Sequence, residues 1–295
     1  MRMEASSLSQ LVLPAALFLM MLGIGITLQG ADFKRVLIAP RGLLLGALGQ
    51  LLLLPLLGVL VCWLFALPPL VAVGLMIVTF APGGVTSNMI TLVSRGDIAL
   101  SVSLTALSSL VAPFTLPLLT ALALTQMDVD SQLNGFPLLP SIVKLATVTL
   151  LPVLLGLALR RRYPSACRRL QPAVKALAVV GFVIIVAGIV RANWERLPAL
   201  LELYAPAVIT LALAAMALGA LLARLGGLAA AGQRTLAIEV GIQNAGTALM
   251  VSSSLLGSVE MSAIVLIYGV LMQIPAAFLM LLSNLPIRPR VWQTD

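Results

Sequence analysis

The chain has 295 residues, 61% of them hydrophobic and 9% charged, with a formal net charge of +8 and a mean hydropathy of +1.12. Soluble domains carry about a quarter charged residues, so this composition belongs to a membrane-embedded protein, and its positive surplus points to a membrane face and no nucleic acid. Histidine is absent, which argues against a zinc site or a histidine-based hydrolase.

Spanning helices need about 20 apolar residues, and nine stretches qualify, at about 10–29, 40–65, 68–94, 97–126, 137–159, 173–192, 203–224, 230–254 and 258–284. The first reads as a retained helix and not a signal peptide, because its strongest positive flank, Lys34 and Arg35, follows it. The second holds a lone amide, Gln50, shortly before Pro55. The third contains "APGGVTSN", residues 81–88, and the fourth places Ser101 and Thr105 one turn apart on one face. Lys144 opens the fifth and is expected to snorkel to the interface. An Arg-rich link precedes the sixth and holds Cys167, while Cys62 lies inside the second span, so the two cysteines are not expected to pair. The eighth contains "EVGIQNAG", residues 239–246.

With the N-terminus outside, 14 of the 18 Lys and Arg residues fall on the inner side; only Arg2, Lys144, Arg191 and Arg196 fall outside. That asymmetry is the positive-inside pattern, and it favours an odd number of spans with the C-terminus in the cytoplasm. Surrounding membrane lipid is then a partner by construction. The arginines at 160–162 and 168–169 read as determinants of that topology.

Two spans are interrupted. Pro82, Gly83 and Gly84 in the third, and Gly241 and Gly246 in the eighth, are poor helix-interior residues. A broken backbone persists in lipid only where protein or a water cavity satisfies it. Two such spans in corresponding, oppositely oriented positions are a pointer to an inverted repeat with a transporter binding site. The polar residues gather at the same places. Glu239 is the one acidic residue away from loops and span ends, and an intramembrane carboxylate costs about 2.5–3.5 kcal/mol on insertion scales unless it meets a partner. A bound cation is one such partner, and Arg234, five residues earlier, is the alternative. Ser87, Asn88, Ser101, Thr105, Gln50, Gln243 and Asn244 offer neutral oxygens of the kind a hard cation takes.

"APGGVTSNMITLVSRGDIALSVSLTALSSLVAP" and "EVGIQNAGTAL" resemble the two signature regions of the bile acid:sodium symporter family, a likeness that runs from about residue 10 to 284. The resemblance implies an all-α membrane protein with an inverted repeat and two crossing broken helices, here with nine transmembrane helices because the first of the family's ten is missing. It implies a core domain at roughly 40–126 plus 203–284 and a panel domain at roughly 10–29 plus 137–192. It further implies two sodium ions as coupling ions, with no other metal or cofactor. Ser87, Asn88, Ser101, Thr105 and Glu239 match the first site; Gln50, Glu239, Val240, Ile242 and Gln243 match the second. Asn244 matches a substrate contact, and Thr86 and Val85 stand where many members read Gly-Gly-Thr, the hydroxyl displaced by one residue.

The expected function is therefore sodium-coupled import of an organic anion, bile-acid-like or a small carboxylate such as pantoate, by a monomer in a bacterial inner membrane. A sodium-independent or proton-coupled permease or efflux protein of the same superfamily is the alternative. An arsenite-exporter type would place a cysteine near the first break, where this chain has Thr79 and Ala81. A scaffold or sensor is disfavoured by short loops, and an enzyme by the lack of histidine and of paired intramembrane carboxylates, so no catalytic residues are expected.

Overall fold

The computed structural model describes residues 7–28, 40–129, 136–192, 194–195 and 197–285. Lys34, Arg35, Asp130 and the tail beyond Leu285 lie outside the described residues. Within them the regular structure is helical, with one isolated antiparallel bridge between Gly83 and Gln243.

The helices are α1 Ser7–Thr27, α2 Pro40–Leu64, α3 Pro69–Phe80, α4 Val85–Val93, α5 Ile98–Gln126, α6 Leu138–Arg162, α7 Pro164–Ala192, α8 Leu197–Leu225, α9 Ala230–Gly241, α10 Ala245–Leu255 and α11 Val259–Asn284. Five of them, α2, α5, α6, α8 and α11, are long and apolar enough to cross a membrane. The stretches expected at 68–94 and 230–254 each form two short helices around a break, α3–α4 and α9–α10.

One difference from the sequence expectation concerns the Arg-rich link. It is helical on both sides of Tyr163: α6 continues through Arg162, and α7 begins at Pro164 instead of near residue 173. Proline at the first helical position loses nothing, because its missing N–H would have had no partner there. The arginines that end α6 complement the negative end of its dipole.

Proline also explains wide turns in α2 and α6. Residues Gly49–Leu53 and Ala146–Leu150 form π-type turns just before Pro55 and Pro152. A proline inside a helix lacks an N–H and crowds the carbonyl four residues back; the wider turn relieves both. Gln50 sits in the first of these turns.

α1 lies along α6 and α7. Gly25 and Gly156 meet there backbone to backbone: a Cβ on Gly156 would lie 2.7 Å from Ile26 N. α3 packs on α11, α8 on α9, and α5 between α9, α3 and α6. Their shared interior holds Leu75, Ile77, Ile238, Val240 and Ile264, all fully buried. Cys62 and Cys167 are free, as expected from their separate surroundings.

Candidate functional site

The two breaks meet. Asn244 N donates to Pro82 O at 2.9 Å, and Gly83 stands opposite Gln243. Each broken end is satisfied by protein. Ile242 N still donates to Ile238 O at 2.8 Å, and Gly241 O accepts the hydroxyl of the fully buried Tyr268 at 3.1 Å. Asn244 caps α10 by accepting from Thr247 N at 3.1 Å, and Gly83 N donates to Ser108 Oγ at 3.3 Å. Gly246 is not part of the break: the Asn244 cap starts α10 at Ala245, so Gly246 lies in its first turn.

Glu239, with no exposure, ends up among hydroxyls and an amide. Ser101 Oγ lies 2.6 Å from Glu239 Oε1 and also 2.6 Å from Asn88 Oδ1. Thr105 Oγ1 lies 2.9 Å from Glu239 Oε2 and 3.4 Å from Asn88 Oδ1. Each hydroxyl has one proton for two acceptors, so this knot of oxygens carries more negative character than its own protons can balance. Ser101 does not bond back along its helix, as Ser103, Thr115 and Thr125 do to the carbonyls four residues earlier. Arg234 does not supply the missing charge: its Nη2 donates to Arg95 O at 2.8 Å. Ser87, also fully buried, donates to Gly84 O at 2.7 Å within the first turn of α4.

Gly83 is what lets this cluster close. A Cβ there would stand 2.8 Å from Glu239 Oε2, 3.3 Å from Thr105 Oγ1 and 3.6 Å from Gln50 Nε2. The residues expected around a second ion adjoin it. Gln50 Nε2 donates to Gln243 Oε1 at 3.3 Å, and Gln243 Nε2 donates to Val240 O at 2.8 Å. Ile242 is buried at the break itself. Among the described residues no group of three or more His, Cys, Asp or Glu gathers. The donor set here is hydroxyls, amides and one carboxylate, which suits a hard cation.

Next to the breaks lies a cavity of about 640 Å³, lined by parts of α1, α4, α7, α10 and α11. Its wall is mostly apolar, with Met20, Met89 and Met272, and its polar groups come from Thr86, Gln243, Asn244 and Gln273. Among the described residues no Lys or Arg lines it. Val85 opens α4, its side chain outside the described residues.

The family model for the sodium bile acid symporter family matches residues 14–200, which include the whole first interrupted span. The chain belongs to the sodium bile acid symporter family. Several relatives are named as transporters or cotransporters. A Bacillus subtilis protein named uncharacterized sodium-dependent transporter YocS is 32% identical over 77% of this chain and 69% of its own. A chloroplastic protein of Arabidopsis thaliana, named probable sodium/metabolite cotransporter BASS1, is 36% identical over 76% of this chain and 54% of its own. The human ileal sodium/bile acid cotransporter is 31% identical over 79% of this chain and 66% of its own. This chain thus spans little more than half of the plant relative.

Sequence reasoning for this symporter-family chain missed Ser108 and Tyr268, which hold the two breaks. Ser108 could have been found, since it follows Thr105 by three residues on the same face of α5. Tyr268 had no local signal: its partner Gly241 is 27 residues away and on another helix.

Proposed function

We propose that this protein is a sodium-coupled symporter that imports an organic anion by alternating access. The observation that carries the reading is the oxygen knot around Glu239, where Ser101 and Asn88 crowd a buried carboxylate that no cationic side chain among the described residues neutralises. Sodium at this point would supply the balancing charge, held by Ser87, Asn88, Ser101, Thr105 and Glu239. A second ion would take Gln50, Glu239, Gln243 and the carbonyls of Val240 and Ile242 once the Gln243 amide releases Val240 O. The substrate would lie in the adjoining cavity, against Thr86, Asn244 and the start of α4. Its neutral polar groups and apolar wall suit an amphipathic carboxylate better than a compact, highly charged anion.

Nine spans follow if α3–α4 and α9–α10 each cross once, with the N-terminus outside and the C-terminus in the cytoplasm of a bacterial inner membrane. The two breaks then belong to an inverted repeat. The core would hold α2–α5 and α8–α11, and the panel α1, α6 and α7. In that orientation the cavity opens inward, and the chain is functional as a monomer. Two sodium ions with a monoanion carry net positive charge inward, driven by about 2.3 kcal/mol per charge per 100 mV. Uptake that ignores a collapsed membrane potential would overturn this stoichiometry.

The test is thermal melting in detergent while sodium replaces choline at constant ionic strength, beside Glu239→Gln. A ligand at about 100 times its Kd adds about 2.7 kcal/mol. A sodium-specific rise in wild type, lost in the variant, supports the reading. A folded wild type that melts identically in both salts sinks it, and proton coupling then becomes the working alternative.

A further inference from the structure

One turn below the Glu239 knot, α5 and α9 touch a second time. Asp97 N donates to Thr235 Oγ1 at 2.7 Å, and the Thr235 hydroxyl donates to Ala231 O at 2.9 Å. Thr235 is fully buried. Going four residues up each helix leads from this pair to Ser101 and Glu239, which meet at 2.6 Å. The two helices therefore run side by side in the same direction and in fixed register, with contacts spaced by about one helical turn, ~5.4 Å.

The lower contact is built more firmly than an isolated bond. Asp97 Oδ1 caps α5 by accepting from Leu100 N at 3.2 Å, and Asp97 O accepts from Ser101 N at 3.0 Å. Asp97 is thus tied directly to the backbone of Ser101. The turn before it is pressed against α9. Arg95 has a positive φ of 54°, and its carbonyl is held by Arg234 Nη2 at 2.8 Å. Gly96 leaves no room: a Cβ there would stand 2.8 Å from Thr235 Oγ1 and 2.6 Å from Thr91 Cγ2. The lower contact reaches the knot through the backbone of Ser101 and not through the knot's side-chain oxygens. Its effect on the knot is geometric, because sliding or rotating α5 against α9 would break the bond from Asp97 N to Thr235.

We propose that Thr235 is a positioning residue for the cation site, setting the height of Ser101 and Thr105 against the Glu239 carboxylate through its bond to Asp97. The proposal rests on the sodium reading of the preceding section and adds the element that fixes the site's register. Thr235→Val keeps the β-branched shape and removes the hydroxyl. Without that bond the start of α5 is free to shift, and a cation that needs several oxygens at fixed distances loses affinity before the fold is lost.

The experiment measures the sodium concentration that gives half the maximal rise in melting temperature, in wild type, Glu239→Gln, Thr235→Val, Thr235→Ser and Gly96→Ala. Losing one buried hydrogen bond corresponds to about a fivefold to tenfold change in an equilibrium constant. Thr235→Val is expected to need about five to ten times more sodium, with the full rise recovered at saturation. Thr235→Ser is expected to stay within about twofold of wild type. Gly96→Ala, which wedges the same contact from the α5 side, is expected to shift as Thr235→Val does and serves if that variant does not fold. A lower melting temperature in choline with an unchanged sodium midpoint would make Thr235 merely structural and overturn the proposal. An unchanged Thr235→Val midpoint, with wild type responding to sodium and Glu239→Gln not, overturns this inference alone. If wild type shows no sodium response, the sodium reading falls and takes this inference with it.

Discussion

The two interrupted spans have similar breaks in opposite surroundings. From Thr235 to Ser252 every residue of α9 and α10 is buried, straight through the break. α3 is just as buried, from Val71 to Phe80, but across its break α4 opens outward: Thr86 is exposed, and Met89, Leu92 and Val93 are about half exposed. The caps follow the same division. Asn244 caps α10 with its side chain, whereas α4 starts from Gly84 with no side-chain cap. The second span thus anchors the carboxylate within fixed packing, and the first offers one face of a lightly held helix to the cavity. Local stability sits in one and adaptability in the other, as binding sites that must move require.

Substitutions can break that contrast. The largest expected effect is on packing. Leu249→Ala, in the fully buried part of α10, should cost about 2–5 kcal/mol, whereas Met89→Ala on α4 should stay within about 0.5 kcal/mol. Melting both in choline checks this, and equal losses would erase the difference between the spans. Tyr268→Phe comes next: Gly241 O loses its donor inside the protein, for about 1–3 kcal/mol, measured by the same melts.

A sharper comparison sets adjacent glycines against each other. Gly83→Ala would push a methyl to 2.8 Å from Glu239 Oε2, while Gly84→Ala meets Thr86 Oγ1 at 3.3 Å and Asn244 Cα at 3.8 Å. The sodium midpoint should rise about tenfold or more for the first, equivalent to ~1.4 kcal/mol or more, and stay within about twofold for the second. Similar midpoints would mean that the carboxylate is not where the cation binds. The smallest effect is expected from Lys144→Met. Lys144 does more than snorkel, since its Nζ donates to Ser254 O at 3.3 Å and so bridges α6 to the last turn of α10. The bond is exposed, and its loss should change stability by less than about 0.5 kcal/mol.

Much of this was legible in the sequence because lipid imposes simple rules. Apolar length located the helices, and Pro82, Gly83 and Gly84 located the first break. Glu239 stood out as the one acidic residue away from loops and span ends, and Ser101 and Thr105 shared a face by spacing alone; the structure brings all three together with Asn88. What escaped depends on contacts between distant residues. Gly246 looked like a break residue because glycine is ambiguous between breaking a helix and allowing close approach. The helical continuation on both sides of Tyr163 was hidden because charge suggested a loop, although arginine is a good helix former. The register of α5 against α9 is a tertiary fact, and neither Asp97 nor Thr235 advertises it locally.

The bridge between Gly83 and Gln243 has a consequence for how the protein is made. Asn244, which satisfies Pro82 O, and Gln243, which faces Gly83, emerge from the ribosome long after the first break has entered the membrane. At ~5–20 residues per second the first break spends about 10–30 s without its partner. During that time its freed backbone must be sheltered by water or by the insertion machinery. Biogenesis therefore has a vulnerable interval that ends when α9 and α10 arrive, and any slowing of translation between the two halves lengthens it.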